Sequence, residues 1–213
     1  FSKAIESFDL SEYDLIISSS WAVAKGIKKN DNQIHICYCH TPIRYAWDLY
    51  DEYTSNLRGL KKILVKRTLK KLRKWDLSTV SRVDYFIANS KFVSERIQRT
   101  YGRKSTVIYP PIDIDKFTLK DNKQDFYLTA SRLVPYKKTK LIVKSFVNMP
   151  DKKLVVIGAG EEYKEIRKIA KKSPNIKILG FCNDKIMIEN MQKAKAFIYA
   201  AIEDFGIVPI EAM

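Results

Sequence analysis

The sequence predicts an α/β protein built from two doubly wound, Rossmann-like halves, and three observations carry that prediction. Short β-prone apolar runs, too short for buried helices, recur along the whole chain. Stretches with helical periodicity separate most of them, the alternation that builds parallel sheets covered by helices. One break interrupts the alternation near the middle, where Pro110-Pro111 and a polar run at 120–124 follow each other.

Taken in order, residues 14–18 and 33–39 read as strands with a helical stretch over 21–28 between them, a βαβ unit. Period-2 alternation puts His35, Cys37 and Cys39 on one side of the second strand, and Pro42 stops the ladder just past His40 at its tip. Cys37 and Cys39 have neither the spacing nor the second ligand pair of a zinc site, so they read as strand core. Strands over 84–88 and 106–109 flank a helix over 92–101, completing the first half. The proline break places a domain boundary between about 113 and 124, dividing the chain into 1–115 and 116–213. The second half reads as strands over 126–130, 154–157, 176–179 and 196–201, with helices over 140–147, 163–171 and 185–193.

Bulk properties bound the function. With 213 residues and 46% apolar composition, each half can bury its own core. Thirty-nine Lys and Arg against 24 acids give a net charge of +15, spread over both halves, which favours anionic partners such as phosphates, nucleic acid or an acidic membrane surface. Three cysteines suit a reducing cytosol. No apolar run is long enough to span a bilayer, no signal peptide is expected, and there is no internal repeat. Phe1 is no initiator and Met213 barely enters a helix, so both ends are expected to be cut.

The chemistry concentrates at strand ends. Glu203 follows the last apolar run, Gly206 frees the backbone to turn, Pro209 suits a helix's first turn, and Glu211 lies eight positions after Glu203. Backbone N–H groups of Phe205, Gly206, Ile207 and Val208 at a helix start, with two carboxylates to accept from hydroxyls, describe a sugar site. After the strand over 126–130, Arg132 offers a planar fork and Lys137 a mobile point charge, a pair able to grip one diphosphate. Gly158 and Gly160 form a turn compatible with a nucleotide, but Tyr163 stands where a dinucleotide fingerprint needs its third glycine. Asp113 and Asp115 fall in the proline-broken linker instead of at a strand end, and no metal site is expected.

The composite of strand, acid, Phe-Gly turn, Pro and second acid resembles the E-x7-E signature of retaining glycosyltransferases of family four, which have the GT-B fold. Arg132-Leu133-Val134-Pro135-Tyr136-Lys137 resembles the family's Arg-Leu-Val-x-x-Lys motif. Cys39-His40-Thr41-Pro42, with the stretches 84–90 and 107–113, is similar to its O-antigen-type mannosyltransferases. The resemblance implies that Arg132 and Lys137 neutralise a departing diphosphate and that Glu203 and the N–H groups of 205–208 hold the sugar. It also implies that Glu211 takes the ribose hydroxyls, that Gly158 and Gly160 lie near the nucleotide, and that His40 faces the donor sugar from the N-terminal, acceptor-side domain. The implied reaction is metal-independent transfer of a hexose, mannose from GDP-mannose, to a lipid-linked or polysaccharide acceptor. The Gly-rich loop usual in the family's first strand–helix unit is not found. A nucleic-acid-binding α/β protein is the alternative that the charge suits, although no recognition motif supports it.

One stretch lies outside this chemistry. Residues 58–75 hold nine cations and no acid. As a helix they put Leu60, Leu64, Val65, Leu69, Leu72 and Trp75 on a face expected to pack on the N-terminal domain, and Lys62, Lys66, Lys70 and Arg73 on the other. Lysines at successive i, i+4 positions repel one another, so the basic face is expected to meet an anion. Relatives assemble lipid-linked glycans, which implies a peripheral place at the cytoplasmic face of the membrane.

Overall fold

A computed structural model describes residues 2–55 and 57–213. The chain divides into two compact units, Phe1–Pro110 and Pro111–Met213. The first contains α1 (Ser2–Ile5), β1 (Leu15–Ser20), β2 (Ile34–Cys39), α2 (Tyr50–Ser55), α3 (Gly59–Ser78), β3 (Tyr85–Ala88), α4 (Lys91–Tyr101) and β4 (Ser105–Val107). Its four strands are parallel in the order β1-β2-β3-β4. Ser90 caps α4 by accepting from the Val93 N–H at 3.0 Å, and Gly102 ends that helix in the left-handed region. Val93 and Ile97 of α4 then bury against Cys37, Cys39, Phe86 and Ala88, so the cysteines are core residues.

The opposite face of this sheet is open. Leu15, Ile17, Ile34 and Tyr85 face solvent, and a concavity of about 650 Å³ runs past Ile36, Tyr85, Ile87 and Thr106. Coverage of both faces, the expectation for a parallel sheet, therefore fails in this unit among the described residues. Val93 and Ile97 of α4 supply cover to the other side.

The helix expected over 21–28 is also absent, and a single 3-10 turn, Ala24–Gly26, takes its place. A Cβ on Gly26 would come within 2.4 Å of the Trp75 indole of α3, so only glycine permits this approach. Beside it, Lys25 turns inward and is buried. Its Nζ lies 2.8 Å from Asp76 Oδ1 and donates to Thr79 Oγ1. The second Asp76 oxygen accepts from Trp47 Nε1 at 2.8 Å and from the Tyr101 hydroxyl at 3.0 Å. Burial and the Asp76 charge push the Tyr101 phenol far above its ordinary range, keeping it a donor. Sequence periodicity gave no sign of this buried charge cluster.

The second unit contains β5 (Gln124–Ala130), α5 (Thr139–Val147), β6 (Leu154–Ile157), α6 (Tyr163–Ala170), β7 (Ile176–Gly180), α7 (Asp184–Lys193), β8 (Ala194–Phe197) and α8 (Ile207–Glu211). The parallel order β7-β6-β5-β8 reverses direction between β5 and β8. Alternation along the strands feeds two cores. Leu154 and Val156 bury against Ile142, Val143, Phe146 and Ile166 of α5 and α6, while Leu128, Ala130 and Ile157 bury against Met191 and its neighbours on α7. Each such side chain contributes about 1.5–3 kcal/mol. Here the doubly wound expectation is met.

The last strand needs correcting. β8 ends at Phe197, with one further ladder bond from the Ile198 N–H to Leu128 O at 2.7 Å, and not at residue 201. Residues 199–202 carry on without regular structure, so Glu203 lies farther from the strand's tip than the apolar run suggested. Apolar character outlasts the ladder: β5 runs on to Ala130, but Leu128 and Phe197 are the last residues that the two strands pair.

Candidate functional site

In an open α/β sheet, the point where strand order reverses leaves a crevice at the carboxyl ends, with loops running off to either side. In the second unit that point lies between β5 and β8. The loop after β5 carries Arg132 and Lys137, and the loop after β8 carries Glu203, so the topology brings these residues together across 66 positions of sequence. Lys137 Nζ pairs directly with Glu203 Oε1, with both side chains about four-fifths buried. The sequence reading had sent the two to different parts of a ligand.

Arg132 is exposed and donates from Nη2 to the Tyr136 hydroxyl at 2.8 Å. Lys138, next to Lys137, has φ 57 and is the non-glycine residue with positive φ among those described. A lysine in the left-handed region costs on the order of 1 kcal/mol, and strain of this kind collects at ligand-binding loops.

Gly158 and Gly160 lie against the same loop. A Cβ on Gly158 would fall 1.8 Å from Ser131 O, and one on Gly160 would fall 2.4 Å from Leu133 O. Backbone bonds from Ser131 N to Ile157 O and from Leu133 N to Ala159 O stitch the two turns together. The glycines thus set the position of the Arg132 loop by close packing. Beneath it, Ser131 Oγ and Thr139 Oγ1 stand 3.1 Å apart, and Lys140 bridges buried Glu162 at 2.7 Å and Glu165 at 2.9 Å.

Gly206, at φ 85, forms the turn before α8 in a conformation that side chains other than glycine resist. The helix starts at Ile207, which puts Pro209 in its first turn, and Phe205 and Val208 are half-buried beside it. Glu211 closes this short helix. Burial first, and then the nearby Asp184 carboxylate, raise its carboxyl above the ordinary range, against the opposing pull of Lys116. Asp113 is taken up by Lys116 at 3.0 Å in the linker, and no group of three or more metal-ligating side chains occurs among the described residues.

In the first unit, His40 stands at the carboxyl tip of β2, as expected. Its Nε2 lies 2.8 Å from Ser19 Oγ at the end of β1, and Tyr38 meets its ring edge-on at 5.1 Å. Arg96 of α4 donates to Thr41 Oγ1 at 2.7 Å and pairs with Asp48, anchoring the loop that follows His40. Sequence reasoning missed Ser19, Arg96 and Asp48. The run Ser18-Ser19-Ser20, polar at the end of a strand, was the signal available for the first.

Helix α3 departs from expectation on both faces. Leu60 is 84% exposed, Leu64 67% and Ile63 51%, and packing begins only at Leu69. Lys66 and Lys70 are exposed and Lys62 is partly so. Arg73 does not belong to the free basic face: it donates to Ala46 O, and its guanidinium lies over the Trp47 and Tyr50 rings at 5.1 and 4.3 Å. Among the described residues no helix is long and apolar enough to cross a membrane.

Comparison with known proteins follows the same division. Residues 1–116 match the family model Glycosyltransferase Family 4, and residues 112–213 match Glycosyl transferases group 1. Among solved structures, HepE of Anabaena in complex with UDP and glucose is 18% identical, with a TM-score of 0.62 over 94% of this chain and 57% of that one. The lipopolysaccharide outer core galactosyltransferase WaaB, in apo form, is 13% identical, with a TM-score of 0.59 over 99% of this chain and 56% of its own. AviGT4, a glycosyltransferase involved in avilamycin A biosynthesis, is 15% identical, with a TM-score of 0.55 over 99% of this chain and 54% of its own. The chain spans little more than half the length of each of these structures. No curated protein matches it.

Proposed function

The chain belongs to Glycosyltransferase Family 4 and has the GT-B fold, and from that premise we propose that it forms part of a retaining enzyme that moves a hexose from a nucleotide-diphosphate sugar to a glycan acceptor, lipid-linked or polysaccharide. The observation that carries the proposal is the meeting of Lys137 and Glu203, beside Arg132, where strand order reverses. Cations poised for a departing diphosphate supply the electrostatic stabilisation that dominates rates of this kind. A carboxylate beside them accepts from sugar hydroxyls, and the turn at 205–208 offers backbone N–H groups. Glu211 is assigned to the ribose hydroxyls, Gly158 and Gly160 to holding the phosphate loop near the nucleotide, and His40 to the donor sugar. The first unit takes the acceptor role and the second the donor role, the expected divide at 115/116 lying five residues past the one at Pro110–Pro111.

The O-antigen-type resemblance favours mannose and GDP, whereas HepE was solved with UDP and glucose. Calorimetric titration with GDP, UDP and ADP sugars separates these donors. In the same titration Arg132→Ala and Lys137→Ala are each expected to weaken the cognate nucleoside diphosphate by about 1.5–3 kcal/mol while leaving the bare nucleoside unchanged, since charge-assisted phosphate contacts are of that size. Equal losses for nucleoside and diphosphate would refute the phosphate assignment.

We further propose that α3 rests on the cytoplasmic face of an anionic membrane, with Lys62, Lys66 and Lys70 at the headgroups and the exposed Leu60, Ile63 and Leu64 at their apolar edge. Each cation near such a surface contributes about 1 kcal/mol. Co-sedimentation with phosphatidylglycerol vesicles is expected to be strong at low salt, weak at high salt, and lost when the three lysines become Gln. Equal binding to phosphatidylcholine would leave the helix as solvated surface.

A further inference from the structure

The diphosphate subsite is occupied by the protein's own charge. Lys137 and Glu203 form an ion pair of which only 19% and 17% of the side chains are exposed. Arg132, by contrast, leans on a neutral phenol and stays open to solvent. The two cations are therefore not equivalent before a ligand arrives. Arg132 can take an anion without giving up a charge partner, whereas Lys137 must first leave a carboxylate.

We propose that Glu203 acts as an internal anion that competes with the donor's diphosphate for Lys137, so that donor binding is an exchange of partners. This rests on the donor-site reading above and adds a regulation to that site. A sugar nucleotide satisfies both residues at once, offering phosphate oxygens to Lys137 and sugar hydroxyls to Glu203. A nucleoside diphosphate without its sugar satisfies only Lys137 and strands a largely buried carboxylate, which is costly when it has no partner. Glu203 therefore discriminates against the product. Once the sugar has been transferred, the carboxylate recaptures Lys137 and loosens the grip on the nucleoside diphosphate.

The test is calorimetric titration of the full chain with inorganic pyrophosphate, which carries the diphosphate charge and no sugar. Glu203→Gln is expected to bind pyrophosphate about threefold to tenfold more tightly than wild type, the range for releasing a partly screened ion pair. That gain is expected to vanish when Lys137→Met is added and to shrink at high salt. Unchanged or weaker binding by Glu203→Gln, while Arg132→Ala still loses affinity, would overturn the exchange and leave the donor site standing. A gain that survives Lys137→Met would also overturn it, because it would report loss of negative charge in general. Pyrophosphate binding by neither wild type nor Glu203→Gln would overturn the donor-site reading together with the exchange.

Discussion

Asp76→Ala is expected to destabilise the first unit by about 3–5 kcal/mol, the cost of leaving a buried charge without its partner. Asp76 and Lys25 are 0% and 1% exposed, so water cannot replace the lost carboxylate around the ammonium. Trp47 and Tyr101 would lose their acceptor in the same step. Against a total stability of about 5–15 kcal/mol for a domain of ordinary size, such a loss brings unfolding close to ambient conditions. Urea titration followed by Trp fluorescence measures it directly, since Trp47 and Trp75 lie within or beside the cluster. The double variant Lys25→Met with Asp76→Leu is expected to recover most of the loss, because well-packed apolar groups replace a buried ion pair at little net cost. A single-variant loss below about 1 kcal/mol would show that the pair is no more than a surface-type bridge.

Glu203→Gln, measured in a version that transfers sugar, is expected to lower kcat by roughly 100-fold to 1,000-fold, the scale for removing one preorganised group that acts on developing charge. Donor affinity is not expected to fall with it. Gln still accepts from a hydroxyl through its carbonyl and no longer holds Lys137, so the KM for donor stays level or improves while kcat drops. Glu211→Gln is expected to show the reverse pattern, with weakened nucleoside diphosphate and a smaller effect on turnover. Exchanged patterns for the two variants would assign sugar and ribose to the wrong acids without touching the fold.

Local signals in this chain reached as far as local physics does. The apolar run at 154–157 and the helical periodicity over 92–101 each act within a few residues, and the elements built on them lie where the sequence puts them. The Glu203 stretch and the Arg132–Lys137 loop stood out for the same reason, as short patterns in the loops that follow two strands. What the sequence could not supply was partnership at a distance. Lys137 meets Glu203 across 66 positions because sheet order decides which strand ends become neighbours, and Lys25 meets Asp76 across 51 because α3 packs on the turn after β1. The end of β8 and the exposure of Leu60 and Leu64 on α3 follow likewise from which surfaces are present to pair or pack against. Hydrophobic periodicity states that a face is apolar. Only the tertiary structure decides whether anything covers it, since burial belongs to two surfaces and a sequence pattern describes one.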